Sequence, residues 1–122
     1  MQKQNPETII QNAVKQYLQM RGWFVIRNQQ GLGSHKGMAD LTACKGGTVV
    51  FIEVKTPKGY LSEYQKKFQR DIASYGCIYE VARSIEDAEH IDRRYAGGNQ
   101  SVVSLLSEET ESVKPRRFKY PR

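Results

Sequence analysis

The sequence predicts an α/β domain: a small mixed β-sheet flanked by helices, in the order helix, three strands, helix, strand, helix. Three observations carry that expectation. Residues 37–56 contain two β-rich runs split by Gly46-Gly47, and a Gly pair between such runs is a strong hairpin signal. Two further stretches place apolar residues at helical spacing behind clear start signals, Asn5-Pro6 and Ser62-x-x-Gln65. The run Cys77–Ala82 follows the second of these. It can therefore join the hairpin's second strand in parallel through a right-handed crossover.

In chain order, Asn5-Pro6-Glu7 supplies an N-cap, a proline at the first helical position and an acid in the first turn. Ile10, Val14, Tyr17 and Leu18 form the apolar stripe, widened by Ile9 and Ala13, and the helix ends near Gly22. Trp23–Arg27 reads as the first strand. Gln29–Lys36 is a polar, glycine-containing loop leading straight to Asp40. Its lone His35 fits a surface position or a substrate contact. The hairpin follows, and Thr56-Pro57-Lys58-Gly59 breaks its second strand. Ser62 and Gln65 form a capping box for a helix with Tyr64, Phe68, Ile72 and Tyr75 on one face, stopping at Gly76. Cys77–Ala82 is the fourth strand. Ser84 caps a last helix bearing Ile85, Ala88, Ile91 and Tyr95, ended by Gly97-Gly98-Asn99.

At 122 residues the chain is expected to be one domain, residues 1–99, with a C-terminal extension over 100–122. The extension carries an apolar patch (Val102, Val103, Leu105, Leu106), an acidic run over 108–111 and a basic tail. Five of the 19 basic residues lie in Lys114–Arg122 with no acid among them, so the net charge of +6 mostly reflects this tail. With Phe118 and Tyr120 interleaved it suits a nucleic-acid backbone, or is an ordinary packing C-terminus. The patch could pack back on the domain or join two subunits. Two cysteines, Cys44 and Cys77, without metal-ligand spacing imply no disulfide framework and read as core thiols. With no membrane span and no signal-peptide pattern, a cytoplasmic location is expected, in a bacterial or phage-infected cell.

The hairpin carries the chemistry. With a two-residue turn Lys45 faces Thr48, and Asp40 falls opposite Glu53. Lys55, two residues beyond Glu53, points to the same face. Opposed acids repel unless something positive lies between them, and a divalent cation with oxygen ligands fits. Asp, Glu and Lys around such an ion suit phosphodiester hydrolysis. The alternative is a solvated charged face. Against it, Glu53 interrupts an apolar run, Val49–Val54, that reads as buried on both faces, and Asp is a poor strand former. Glu7, on the core-facing stripe one turn before Gln11, could reach the same spot. Gln65 has a complete role as cap partner. Lys66, Lys67 and Arg70 on the second helix, with Lys36 and Lys58 in the flanking loops, read either as a solvated face or as contacts to nucleic-acid backbone phosphates.

These residues resemble the PD-(D/E)xK nuclease superfamily and, within it, a stand-alone VRR-NUC domain, the virus-type replication-repair nuclease module. The pattern is an acid-bearing first helix, Arg21-Gly22-Trp23, Gly37-Met38-Ala39-Asp40-Leu41, Phe51-Ile52-Glu53-Val54-Lys55 and Leu61-Ser62-x-x-Gln65. The resemblance covers residues 5–95 and implies a restriction-endonuclease-like αβββαβ(α) core. It implies that Asp40, Glu53 and the Val54 carbonyl bind Mg²⁺ or Mn²⁺ and that Lys55 is the catalytic lysine. Glu7 and Gln65 match the family's first-helix acid and the glutamine after the catalytic strand. One departure is Ala39, where the superfamily's name has proline. The expected function is a metal-dependent DNA endonuclease, selective for branched DNA such as four-way junctions or flaps. A homodimer is expected, with no organic cofactor. The alternative is a non-catalytic nucleic-acid-binding module of the same fold.

Overall fold

The structure is a computed structural model and describes residues 4–96. The expected glycine stop at 97–99, the 102–106 patch, the acidic run and the basic tail lie outside the described residues. Within them the order is α1 (Pro6–Met20), β1 (Phe24–Arg27), β2 (Leu41–Lys45), β3 (Thr48–Val54), α2 (Glu63–Ser74), β4 (Ile78–Ala82) and α3 (Ile85–Tyr95). The four strands form one sheet in the order β1-β2-β3-β4. The first two pairings are antiparallel and β3–β4 is parallel. The αβββαβα expectation holds, and so does the mixed sheet.

The hairpin register is the expected one: Lys45 pairs with Thr48 and Leu41 with Ile52. Gly46 and Gly47 both take positive φ, 58° and 83°, as a type I′ turn requires. Asp40 is the residue immediately before β2 rather than part of it. The first and fourth strands each begin one residue later than expected, leaving Trp23 and Cys77 outside.

Alternation along β3 sets the two faces of the sheet. Val50, Ile52 and Val54 are fully buried on the side covered by α1 and α3, where they join Val14, Leu18, Leu41, Ala43, Ala88 and Ile91. Phe51 and Glu53 point to the other side, where α2 packs. There the Phe68 ring meets Phe51 edge-on at 5.9 Å and lies 6.1 Å from Tyr79. Each helix start has a chemical cause. Asn5 accepts from the Glu7 amide, Ser62 from the Gln65 amide and Ser84 from the Asp87 amide.

Several expected core positions are exposed. Ile9 stands outside the α1 stripe because Val14 and Leu18 centre the buried face away from it. Tyr64 and Tyr75 are exposed because α2 buries only the line through Phe68. Val49 is exposed because it lies in one row with Phe24 and Cys44, on the part of the sheet away from the Phe68 cluster. Cys77 is exposed just before β4, so it is no core thiol.

A buried carboxylate ties the far end of α3 to the sheet. Asp92 is 3% exposed and accepts from Trp23 Nε1 at 2.9 Å and Arg21 Nε at 3.0 Å, with Lys45 Nζ at 3.9 Å. Burial works to raise its pKa, but the hydrogen bonds from Trp23 and Arg21 and the nearby cations outweigh it, and the pKa is lowered. This network lies at the end of the sheet where β1 begins, opposite the end that carries Asp40.

Candidate functional site

The site is assembled where β2 begins and β3 ends. Asp40 is held twice. Its backbone carbonyl accepts from the Asn28 amide at 2.8 Å, and its Oδ2 accepts from the Val54 amide at 2.8 Å. The residues before it are pinned as well. The Ala39 carbonyl accepts from Asn28 Nδ2 at 2.9 Å and Gln30 Nε2 at 3.3 Å, and Gln30 also reaches the Met38 carbonyl. Asn28 and Gln30 therefore fix the chain that presents Asp40. Sequence reasoning did not single them out, because no local spacing links 28 and 30 to 39.

Glu53 is 2% exposed. Its Oε2 accepts from Gln65 Nε2 at 2.9 Å and lies 3.7 Å from Lys55 Nζ. Its Oε1 is buried with no hydrogen-bond partner. Lys55 sits just past β3, and its amide donates to the Ala82 carbonyl. Its ammonium also lies 4.0 Å from Glu7 Oε2, bringing α1 to the site. Glu7 thus meets the lysine rather than the acid pair.

Gln65 uses both ends of its amide. Its Oε1 accepts from the Ser62 amide at 2.8 Å, completing the capping box, while its Nε2 holds Glu53. The cap role expected from spacing is present, and the same side chain reaches the site. Arg83 fixes the loop beyond β3 by donating to the carbonyls of Thr56 and Gly59 at 2.7 and 2.8 Å.

The electrostatics follow from this burial. The Glu53 carboxyl is pushed up to about 8, first by burial and then by the negative charge of Asp40. Lys55 works in the other direction. Tyr79, whose hydroxyl is buried and unpartnered, is raised too, by burial and then by Glu53 and Asp40.

The donor set can be tested against a cation. Among the described residues no three His, Cys, Asp or Glu side chains gather around one point. Side chains supply two carboxylates, and a further ligand has to come from backbone such as Val54, whose amide already touches Asp40. The buried Oε1 of Glu53, without a hydrogen-bond partner and beside a second acid, is an oxygen donor free to take a cation. Hard oxygen donors of this kind, completed by water, suit Mg²⁺ or Mn²⁺. The residues fit such an ion.

That fit has a pH consequence. Below about 8 Glu53 holds a proton, which an entering cation must expel. Affinity should therefore rise with pH and level off above about 8. Calorimetric titration with Mn²⁺ should show Kd falling by up to roughly tenfold per pH unit as Glu53 deprotonates. A Kd independent of pH over that range would contradict the protonation of buried Glu53.

Of the candidate phosphate contacts, Lys36 lies by the first turn of α2, its Nζ 4.8 Å above the Tyr64 ring. Lys58 and Arg70 are exposed. Lys66 and Lys67 pair with Glu63 at 3.4 Å and Asp71 at 2.8 Å on their own helix. His35 is an exposed residue whose ring packs 5.6 Å from Phe68.

The fold agrees with what the chain resembles among known proteins. Two solved structures share its architecture. One is described as a VRR_NUC domain, with 20% identity and a TM-score of 0.65 over 75% of this chain and 99% of that one. The other is described as a VRR_NUC domain protein, with 21% identity and a TM-score of 0.61 over 77% of this chain and 90% of that one. None of the curated proteins matches significantly. Among the described residues no helix is long and apolar enough to cross a membrane. The family model of the VRR-NUC domain matches residues 2–86, and the chain belongs to that family.

Proposed function

We propose that the chain is a divalent-cation-dependent DNA endonuclease with selectivity for branched DNA. The observation that carries this reading is the unpartnered, buried Glu53 Oε1 in a site shared with Asp40 and flanked by Lys55 at 3.7 Å. Asp40, Glu53 and the Val54 carbonyl would hold Mg²⁺ or Mn²⁺. When bound, the cation supplies positive charge to the phosphate and acidity to the attacking water.

The other side chains have separable roles. Lys55 presents its ammonium to the water and to the charge that builds on phosphorus. Glu7, 4.0 Å from that ammonium, steers it. Gln65 holds Glu53 in one orientation, and the Val54 amide does the same for Asp40. Lys36, Lys58 and Arg70 meet backbone phosphates through charge. Lys66 and Lys67 would first have to leave Glu63 and Asp71. A homodimer would offer two such sites to a two-fold branched substrate.

The test is a cleavage assay on linear, flap, fork and four-way-junction DNA with Mg²⁺, Mn²⁺ or chelator. Cutting with either ion, lost with chelator and faster on a branched form, is the expected result. Salt-sensitive DNA binding with no cutting of any form would favour a non-catalytic binding module instead.

A further inference from the structure

Beside Asp40, on the α1 side of the sheet, a cleft of about 390 Å³ is lined by Gln11, Arg27, Asn28, Gln29, Gln30 and Asp40. This lies within the size range of small-molecule sites. The lining is notable for its free hydrogen-bonding groups. Gln11 Oε1 is buried and has no partner, a state that costs free energy unless a donor arrives. Arg27 and Gln29 are exposed residues whose side chains make no hydrogen bond or ion pair among the described residues. Asn28 and Gln30, in contrast, spend their amide nitrogens on Thr42 and on the Met38 and Ala39 carbonyls. They form a fixed wall, and the other three form an open set of two amides and one guanidinium.

We propose that this cleft is a nucleotide subsite, seating one unpaired nucleotide of the strand beside the phosphate that is cut. The placement of that phosphate rests on the nuclease reading above. Arg27 takes the nucleotide's own phosphate, for which a guanidinium is suited. Gln11 and Gln29 meet the base edge, since a side-chain amide offers both a donor and an acceptor. No aromatic side chain lines the cleft, so hydrogen bonds rather than stacking hold the base. A base inside a duplex keeps its pairing edge hidden, so the subsite selects strands that are unpaired next to the cut. Forks, flaps and junction centres supply such nucleotides and uniform duplex does not.

The test uses the full ¹⁵N-labelled chain with Ca²⁺ in place of the catalytic ion. It is titrated separately with dAMP, dCMP, dGMP, TMP and inorganic phosphate and followed by NMR. The expected result is that the side-chain amide signals of Gln11 and Gln29 move with nucleotides and not with phosphate. Arg27→Ala should weaken nucleotide binding about tenfold or more. Shifts confined to the surroundings of Asp40 and Glu53, an equal response to phosphate, or no response at all would overturn the subsite. Cleavage by the unlabelled chain with Mn²⁺ is measured alongside. A chain that cuts DNA without the amide response loses this inference and keeps the nuclease reading. A chain that gives the amide response and cuts nothing keeps a nucleotide-binding cleft, and loses the nuclease reading together with the placement beside a cut phosphate.

Discussion

Lys55→Ala is expected to slow DNA cleavage by on the order of 10²–10³-fold while the protein stays folded and still binds DNA. The size follows from what is removed: one positioned charge acting on a transition state in a partly dry site. Lys55 is only 12% exposed on its side chain, and its ammonium sits between Glu53 at 3.7 Å and Glu7 at 4.0 Å. Stability should change little, because Glu53 can hold a proton when a neighbouring charge is lost. Lys55→Arg should not restore the rate, since a planar guanidinium cannot place its charge where a compact ammonium does. Single-turnover cleavage with saturating Mn²⁺ measures the effect, and thermal unfolding checks the fold. A folded Ala variant cutting at the normal rate would remove Lys55 from the chemistry.

Gly37→Ala is expected to destabilise the domain by about 2–5 kcal/mol, the combined cost of a left-handed alanine and a steric overlap. Gly37 has φ +78°, and a Cβ there would overlap the Tyr64 carbonyl group in the first turn of α2. That carbonyl is backbone in a capped helix and cannot step aside cheaply. The loop before Asp40 and the helix that presents Gln65 therefore meet at a point where only glycine fits. Displacing that contact should also misplace Asp40, three residues on. Gly33→Ala is the control: φ is +91° there, but nothing lies within 4 Å of an added Cβ. It should cost only the backbone conformation, about 1–2 kcal/mol. Thermal melts should separate the two variants by several degrees. Equal melting temperatures would show that the loop and α2 do not press together at Gly37.

The parts of the site that the sequence made legible are those set by local rules. Gly46-Gly47 and the alternation of Val50, Ile52 and Val54 fix the hairpin register, which carries Glu53 and Lys55 to one spot. Capping signals at Asn5, Ser62 and Ser84 mark the three helix starts among the described residues because a cap is satisfied within three residues. What was not legible depends on side chains meeting across the fold. The capping box shows where one end of the Gln65 amide goes and says nothing of the other end, which holds Glu53. Asn28 and Gln30 acquire their roles only when β1 lies beside β2. Asp92 looks like one more acid on a charged helix, because its partners Trp23, Arg21 and Lys45 come from distant stretches. The exposure of Tyr64 and Tyr75 has the same origin. Helical spacing defines a stripe, but the sheet decides how much of it is covered.

The central claim is that Asp40 and Glu53 hold one divalent cation between them. Anomalous diffraction from crystals grown with Mn²⁺ tests it most directly. The expected map has a single strong peak at about 2 Å from a carboxylate oxygen of each residue, with the Val54 carbonyl as a third neighbour. A saturating Mn²⁺ concentration that leaves this position without a peak, or puts the ion elsewhere on the chain, would contradict the account.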